Sequence, residues 1–425
     1  MIKIEKEYQL LKDLSFTRVS TTKEEEKAAD LIIARLKAEG LDAYKEEFEV
    51  DSFDSVSSQI EVIEPFHKTY DVITYANSGS TGEDGLTGEL YYYESDNEVN
   101  LKDVKGKIVL VNGMMRRDSY KKIVKAGAIG FVSFNGNVDI EYDKTDIAIK
   151  ELREPLREAG VIPGVNMRVH DVLEMVNSGA TKVKFNINQP LTKAVSHNVI
   201  CDIKGSEDTK ETIVFTAHYD SVPYSTGAYD NATGSVSLYA MAMYFKEHQP
   251  KRNLRFIFCG SEERGLLGSK AYCKNHNEEL ENIVMCINID MIGSILGKRI
   301  AVATADEKLV TYTEYFANMA GFPIEASQGV YSSDSTPFAD CGIPAISFAR
   351  ITPQGGGSIH SRFDSMDILN EHFLEEDTEF ITRYAETFAN AYVFPVKKEM
   401  PDKMKEELDK YLGREKEDKK ELKEK

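Results

Sequence analysis

Three stretches of almost unbroken apolar sequence do most to limit what this chain can fold into: Thr212-Ile-Val-Phe-Thr-Ala, Leu254-Arg-Phe-Ile-Phe-Cys-Gly and Ile283-Val-Met-Cys-Ile-Asn-Ile. A strand with one wet face alternates polar and apolar residues, whereas a run without a polar face is covered on both sides, as parallel strands under helices are. They predict an α/β fold, a mixed and mostly parallel sheet flanked by helices. Each run ends in residues that a core would reject: His218, the pair Glu262 and Glu263, and Asp290. Taken singly these are a surface tripeptide, a solvated helix start and a turn residue. Together they sit where open α/β sheets place their sites, at the carboxyl ends of strands.

The residue types specify the chemistry. Add Asp230 in Tyr-Asp-Asn-Ala-Thr-Gly and His360, and the chain offers five nitrogen and oxygen donors of the kind zinc accepts, enough for two ions. Cobalt or manganese fits the same donors. Two metals about 3.5–4 Å apart need a carboxylate between them, and Asp230 is the natural bridge. Glu262 is then left over beside a ligand, where a hydrolase needs its general base. Asp220, two residues after His218, suits a carboxylate that orients a ligand histidine, and it is read as an orienter, not a ligand.

The order and surroundings of these residues resemble the zinc aminopeptidases of metallopeptidase clan MH, peptidase family 28, which have co-catalytic zinc. Further segments carry the resemblance: Ser196-His-Asn-Val-Ile, Ser333-Asp-Ser-Thr-Pro-Phe, Gly342-Ile-Pro-Ala-Ile-Ser-Phe and Ile359-His-Ser-Arg-Phe-Asp. It covers residues 20–55 and 195–395. It implies that Asp230 joins both metals, that His218 and Asp290 complete one and that Glu263 and His360 complete the other. It also implies a cis peptide after Asp230 and removal of N-terminal residues from peptides with a free α-amino group. One departure stands out, because Ser335 occupies a place where many relatives have histidine.

Between the first helix and strand of that pattern and its resumption lies an insertion. The helix is expected to start at Thr22-Lys-Glu-Glu25, a capping box, and to end at Gly40, with Ala28, Leu31, Ile32 and Leu36 on its apolar face. A strand over residues 43–50 follows. The inserted Gly106-Lys-Ile-Val-Leu-Val, the helical Tyr120-Lys-Lys-Ile-Val-Lys-Ala-Gly, Ala128-Ile-Gly-Phe-Val-Ser and Ile162-Pro-Gly-Val-Asn resemble a protease-associated domain. That resemblance implies a lid or a substrate-selecting wall. The expected division is 1–60 and 191–396 for the catalytic domain, 61–190 for the smaller inserted α/β domain and 397–425 for a charged tail. A chain of 425 residues is long enough for two cores. In the tail, Met404, Leu408, Tyr411 and Leu412 have helical spacing among mixed charges, which suits a solvated or docking amphipathic helix.

Acidic residues outnumber basic ones by 71 to 52, which argues against nucleic acid or an anionic membrane as partner. No signal-like segment and no run of transmembrane length is visible, so the expected location is the cytoplasm. The cysteines Cys201, Cys259, Cys273, Cys286 and Cys341 have irregular spacing and no Cys-x-x-Cys pair, and are expected to be thiols and not metal ligands. Asn231-Ala-Thr matches a glycosylation acceptor but follows the bridging Asp230 directly, and is dismissed.

The expected partners are therefore peptides with a free N-terminus, cleaved with Glu262 as base. Two rival readings keep the same scaffold: a glutaminyl cyclase or carboxypeptidase, and a non-catalytic peptidase-like binding module. The filled ligand positions and the presence of Glu262 weigh against the last.

Overall fold

The computed structural model describes residues 5–52 and 57–414. The chain divides into two compact units, one formed by residues 1–50 with 195–425 and the other by residues 51–194. The larger unit is built on an eight-stranded sheet whose order is Ala43–Ser52, Thr192–Ile203, Asn253–Cys259, Thr212–His218, Ile283–Ile289, Ala345–Ile351, Lys298–Thr304 and Glu325–Gln328. The four central strands are mutually parallel, whereas Thr192–Ile203 and Lys298–Thr304 join them antiparallel. Parallel register brings His218 level with Cys259 and Thr216 level with Asn288. The segments that follow these strands therefore emerge at one edge.

The apolar runs are explained by burial on both faces. Ile213, Phe215, Ala217, Phe256, Phe258, Met285, Ile287 and Ile289 point into one core, while Val214, Ile257, Cys259 and Cys286 point into the other. Helices Lys23–Ala38, Thr233–Glu247 and Glu371–Ala389 supply buried side chains to the first core, and Leu267–Asn275 and Ser335–Asp340 to the second. The tail contributes as well. Its helix Asp402–Leu412 buries Met404 and Leu408, and with Met400 they join the second core beside Phe338 and Ala339. The stretch from 397 to 412 is thus a docked element, and residues 415–425 lie outside the described ones.

The first catalytic helix begins at Thr22, whose hydroxyl accepts the Glu25 amide, and buries Ala28, Ile32 and Leu36. Glu25, however, reaches back to the amide of Thr21 instead of Thr22, and its carboxyl is buried. The predicted 43–50 strand runs as Ala43–Ser52.

The smaller unit has its own eight-stranded sheet, in the order Lys68–Asp71, Ser57–Glu64, Lys182–Asn188, Leu86–Tyr93, Ile108–Val111, Gly130–Asn135, Gly164–Arg168 and Ile73–Thr74. Leu86–Tyr93, Ile108–Val111, Gly130–Asn135 and Gly164–Arg168 are parallel neighbours, with the helix Arg117–Lys125 between the second and third. Its cores are its own: Val132, Val165 and Phe185 fill one, and Val109, Tyr120 and Phe131 the other. Among the described residues, no helix is long and apolar enough to cross a membrane.

Candidate metal centre

His218 closes the strand Thr212–His218, Glu262 and Glu263 follow the strand Asn253–Cys259, and Asp290 follows Ile283–Ile289. Asp230 lies in the turn that leads into the helix Thr233–Glu247, and its peptide bond to Asn231 is cis. His360 comes from the loop after Ala345–Ile351, with a backbone φ of 57°. All five candidate ligands converge.

They form two groups that share one residue. His218 Nε2 lies 3.1 Å from Asp230 Oδ1 and 3.6 Å from Asp290 Oδ1. His360 Nε2 lies 3.2 Å from Asp230 Oδ2 and 3.0 Å from Glu263 Oε2. Asp230 thus turns one oxygen toward each histidine, and within each trio the donor atoms lie within 4.8 Å of one another. A buried Asp290 Oδ1 with no hydrogen-bond partner is what a carboxylate shaped for a cation leaves exposed to that cation. The donor types and that orphaned atom fit zinc.

Electrostatics fit the same reading. Burial disfavours a charge on Asp230, but hydrogen bonds from His218 and His360 outweigh it and hold its carboxyl well below the usual range. Burial also opposes protonation of His360, and the Asp230 and Glu263 carboxylates overcome it, pushing its pKa up to about 11. Glu262 behaves in the opposite way. Burial drives its carboxyl well above the usual range, His218 pulls against that, and Glu263, Asp334 and Asp290 add to it. Its Oε2 lies 4.0 Å from His218 Nε2 and belongs to neither trio.

Asp220 is fully buried and meets more than His218. Its Oδ1 lies 3.5 Å from His218 Nδ1, and its two oxygens accept the amides of Glu262 at 2.9 Å and Glu263 at 3.2 Å. Asn231 is buried with both ends of its amide engaged, donating to the Ile289 carbonyl and accepting from the amides of Gly234 and Met291. It ties the Asp230 turn to the end of the strand that precedes Asp290. Ser335, in the place of the expected histidine, is also buried and bonded to Ser347 at 2.8 Å.

Four residues at the site were not assigned a role from sequence. Asp364, quoted only as the end of the His360 segment, accepts the amides of Tyr229 at 2.8 Å and Asp230 at 3.1 Å, and burial raises its pKa to about 7. Arg18 is a fully buried guanidinium that donates to the carbonyls of Tyr219, Thr226 and Gly227, which fastens the segment between the His218 strand and the Asp230 turn. Asp334 is buried, with Oδ1 bonded to Ser269 and Oδ2 unpartnered. Tyr331 has a buried hydroxyl without a partner, held in its protonated form by burial and by Asp290 and Asp230. Asp334 and Asp364 lie inside the segments 333–338 and 359–364 and Tyr331 lies two residues before the first, whereas Arg18 carried no sequence signal.

Comparison with known proteins finds matches along most of the chain. The family model described as Peptidase family M28 matches residues 198–385, and the one described as PA domain matches residues 69–166. Aminopeptidase YwaD of Bacillus subtilis is 28% identical over 386 residues, covering 86% of this chain and 80% of that protein. Carboxypeptidase Q of Bos taurus is 22% identical, over 85% of this chain and 80% of its own length. Among solved structures, a zinc aminopeptidase from Bacillus subtilis superimposes with a TM-score of 0.78 at 24% identity, covering 95% of this chain and 99% of that one.

Proposed function

Since the chain belongs to peptidase family M28 and carries a PA domain, we propose that it is a zinc-dependent aminopeptidase that removes N-terminal residues from peptides. The observation that carries this reading is the Asp230 carboxylate, which turns one oxygen toward His218 and the other toward His360 while Glu262 stands free of both trios. His218, Asp230 and Asp290 would hold one ion, and Asp230, Glu263 and His360 a second. Zinc when bound supplies Lewis acidity toward the scissile carbonyl and toward the attacking water. Cobalt or manganese would serve the same donors.

Within that frame the chain's own groups divide the work. Glu262, whose carboxyl burial has made unusually basic, takes the proton from the attacking water and delivers it to the leaving amine. Tyr331, with an unpartnered O–H, is placed to donate to oxygen charge that develops nearby. The excess of carboxylates around the site favours a substrate that brings an ammonium group, which a peptide N-terminus does.

The deciding experiment is a panel of aminoacyl chromophores, free peptides and N-acetylated peptides, assayed before and after chelation. Free N-termini should be cleaved, N-acetylated peptides should not, and chelation should abolish turnover. Efficient internal cleavage of N-acetylated peptides would refute the assignment. The likeness to carboxypeptidase Q supports one rival, which peptides amidated at the C-terminus address: an aminopeptidase cleaves them, a carboxypeptidase does not. Release of ammonia from peptides that begin with Gln would mark a cyclase.

A further inference from the structure

We propose that Glu25 is a positioning residue for the hydrolytic step: from the start of the first catalytic helix it holds Ser261 in the turn that presents Glu262. The proposal rests on the reading of Glu262 as general base. Glu25 lies 236 residues from Ser261 in sequence, yet its Oε1 accepts the Ser261 amide at 3.0 Å and the Ser261 hydroxyl at 3.2 Å. The same oxygen accepts the Ser196 hydroxyl at 2.8 Å, and Oε2 accepts the Thr21 amide at 2.6 Å. The Ser20 hydroxyl meets the Ser261 hydroxyl at 2.5 Å.

The backbone at Ser261 requires such a clamp. Its φ is 55°, a left-handed conformation that costs energy for any residue except glycine and persists when its surroundings over-determine it. Gly260, just before, runs so close to its neighbours that a Cβ would meet the His197 carbonyl at 2.4 Å, the Ser196 hydroxyl at 2.8 Å and Glu25 Oε1 at 3.1 Å. Asp220 takes over where Glu25 stops. The amides of Ser261, Glu262 and Glu263 are three successive donors, and each ends on a buried carboxylate: the first on Glu25, the next two on Asp220. The orientation of the base and of its ligand neighbour is thereby set by acceptors outside the turn itself.

Helix capping alone does not account for Glu25. The N-cap bond belongs to Thr22, whose hydroxyl accepts the Glu25 amide at 3.3 Å. Glu24 and Glu26, the other acidic residues of the first turn, are exposed as ordinary dipole partners are, whereas Glu25 is only 1% exposed. Burying a carboxyl there is costly unless its hydrogen bonds are needed. Four donors face it, with a backbone N–H on each oxygen, so an amide in its place would set an N–H group against one of those two.

The test uses the zinc-loaded full chain and compares Glu25→Gln, Glu262→Gln, the double variant and Thr22→Ala. Metal content, Tm, kcat and KM are measured for each. Glu25→Gln should keep the parent's zinc and a KM close to the parent's while kcat falls by about 10–100-fold, the scale of a roughly 1 Å misplacement. Added to Glu262→Gln it should cause no further loss, because the two act through one group. Thr22→Ala should lower Tm and leave kcat intact. Parent-like kcat in Glu25→Gln, or a full additional loss on the Glu262→Gln background, overturns the proposal. Should Glu25→Gln fail to fold, Glu25→Asp keeps the charge but shortens the reach, and parent-like kcat there overturns it equally. Parent-like turnover in Glu262→Gln would instead remove the base assignment itself, whatever Glu25 does.

Discussion

The two units present the same architectural opportunity and use it in opposite ways. In each, neighbouring parallel strands end at one edge of a mixed sheet. In the larger unit those ends carry His218, Glu262, Glu263 and Asp290, and the Asp290 Oδ1 atom is left without a hydrogen-bond partner. In the insertion Asn135 closes one such strand, and it joins Ser133 and Asn166, which lie within the strands, in a set of groups that satisfy one another. Ser133 donates to Asn166 Oδ1 at 2.7 Å, and the Asn166 side chain donates to Asn135 Oδ1 at 2.7 Å and to the Ala148 carbonyl at 2.8 Å. Asn135 donates to the Asp146 carbonyl at 2.9 Å and accepts the Ala148 amide at 2.9 Å. Among the described residues, the groupings able to hold a metal lie in the larger unit. Strand ends are thus a place for chemistry without being its cause; charged groups left short of partners make the difference.

The hardest blow to that contrast is Asp230→Asn. An amide is a poor bridge between two cations, so bound metal should drop and turnover should become undetectable. An Asp230→Asn protein that keeps two zinc ions and parent activity would show that the shared carboxylate is not the bridge. Next comes Glu262→Gln, which should retain metal and lose about 10²–10⁴-fold in kcat. Metal analysis beside single-turnover kinetics separates the two cases.

A smaller effect sharpens the other side. Asn166→Ala in the insertion removes a fully buried amide and its three hydrogen bonds, at a cost of about 1–3 kcal/mol of stability. Kcat per bound zinc should not change, since no candidate ligand lies in residues 51–194. Loss of zinc in that variant would contradict the division of labour.

The smallest effect is a pH slope in stability. Burial first of all raises Asp334 and Asp364 to about 7, so the folded chain holds more protons than the unfolded one from about pH 4 upward. His360, raised to about 11 by Asp230 and Glu263 against its burial, extends the excess above its ordinary 6.5. Both signs agree: stability contributed by these protons is present at low pH and lost as pH rises through the folded-state values. Asp230, with its pKa depressed, loses its contribution only in acid and does not oppose this near neutrality. The Tm of the chelated protein should fall by a few degrees between about pH 6 and 9, while zinc, taking the place of protons, flattens the slope. A chelated Tm that rises over that range would show that these groups are not buried as described.

The donors were legible because each stands at the end of a recognisable strand or in a short distinctive segment. The apolar runs before His218, Glu262 and Asp290 place those residues by simple periodicity, and the helix from Thr22 announces itself by its cap and its apolar face. The docking of the tail was half legible, for the spacing of Met404 and Leu408 predicts a helix but not the core beside Phe338 that receives it.

What the sequence by itself determined is the inventory: an α/β sheet with two dry faces, an inserted second sheet, and a set of imidazole and carboxylate donors with one glutamate to spare. Only the tertiary structure decided how that inventory is held. Glu25 reads in sequence as the last residue of a capping box, Asp364 as the end of a segment, and Arg18 as nothing in particular. Their partners lie 236, 134 and 209 residues away, at Ser261, Asp230 and Gly227. A buried hydrogen bond between such distant groups has no periodicity and no local composition to betray it. It exists because the fold removes both groups from water, and a buried polar group must then find its partner wherever the chain has brought one.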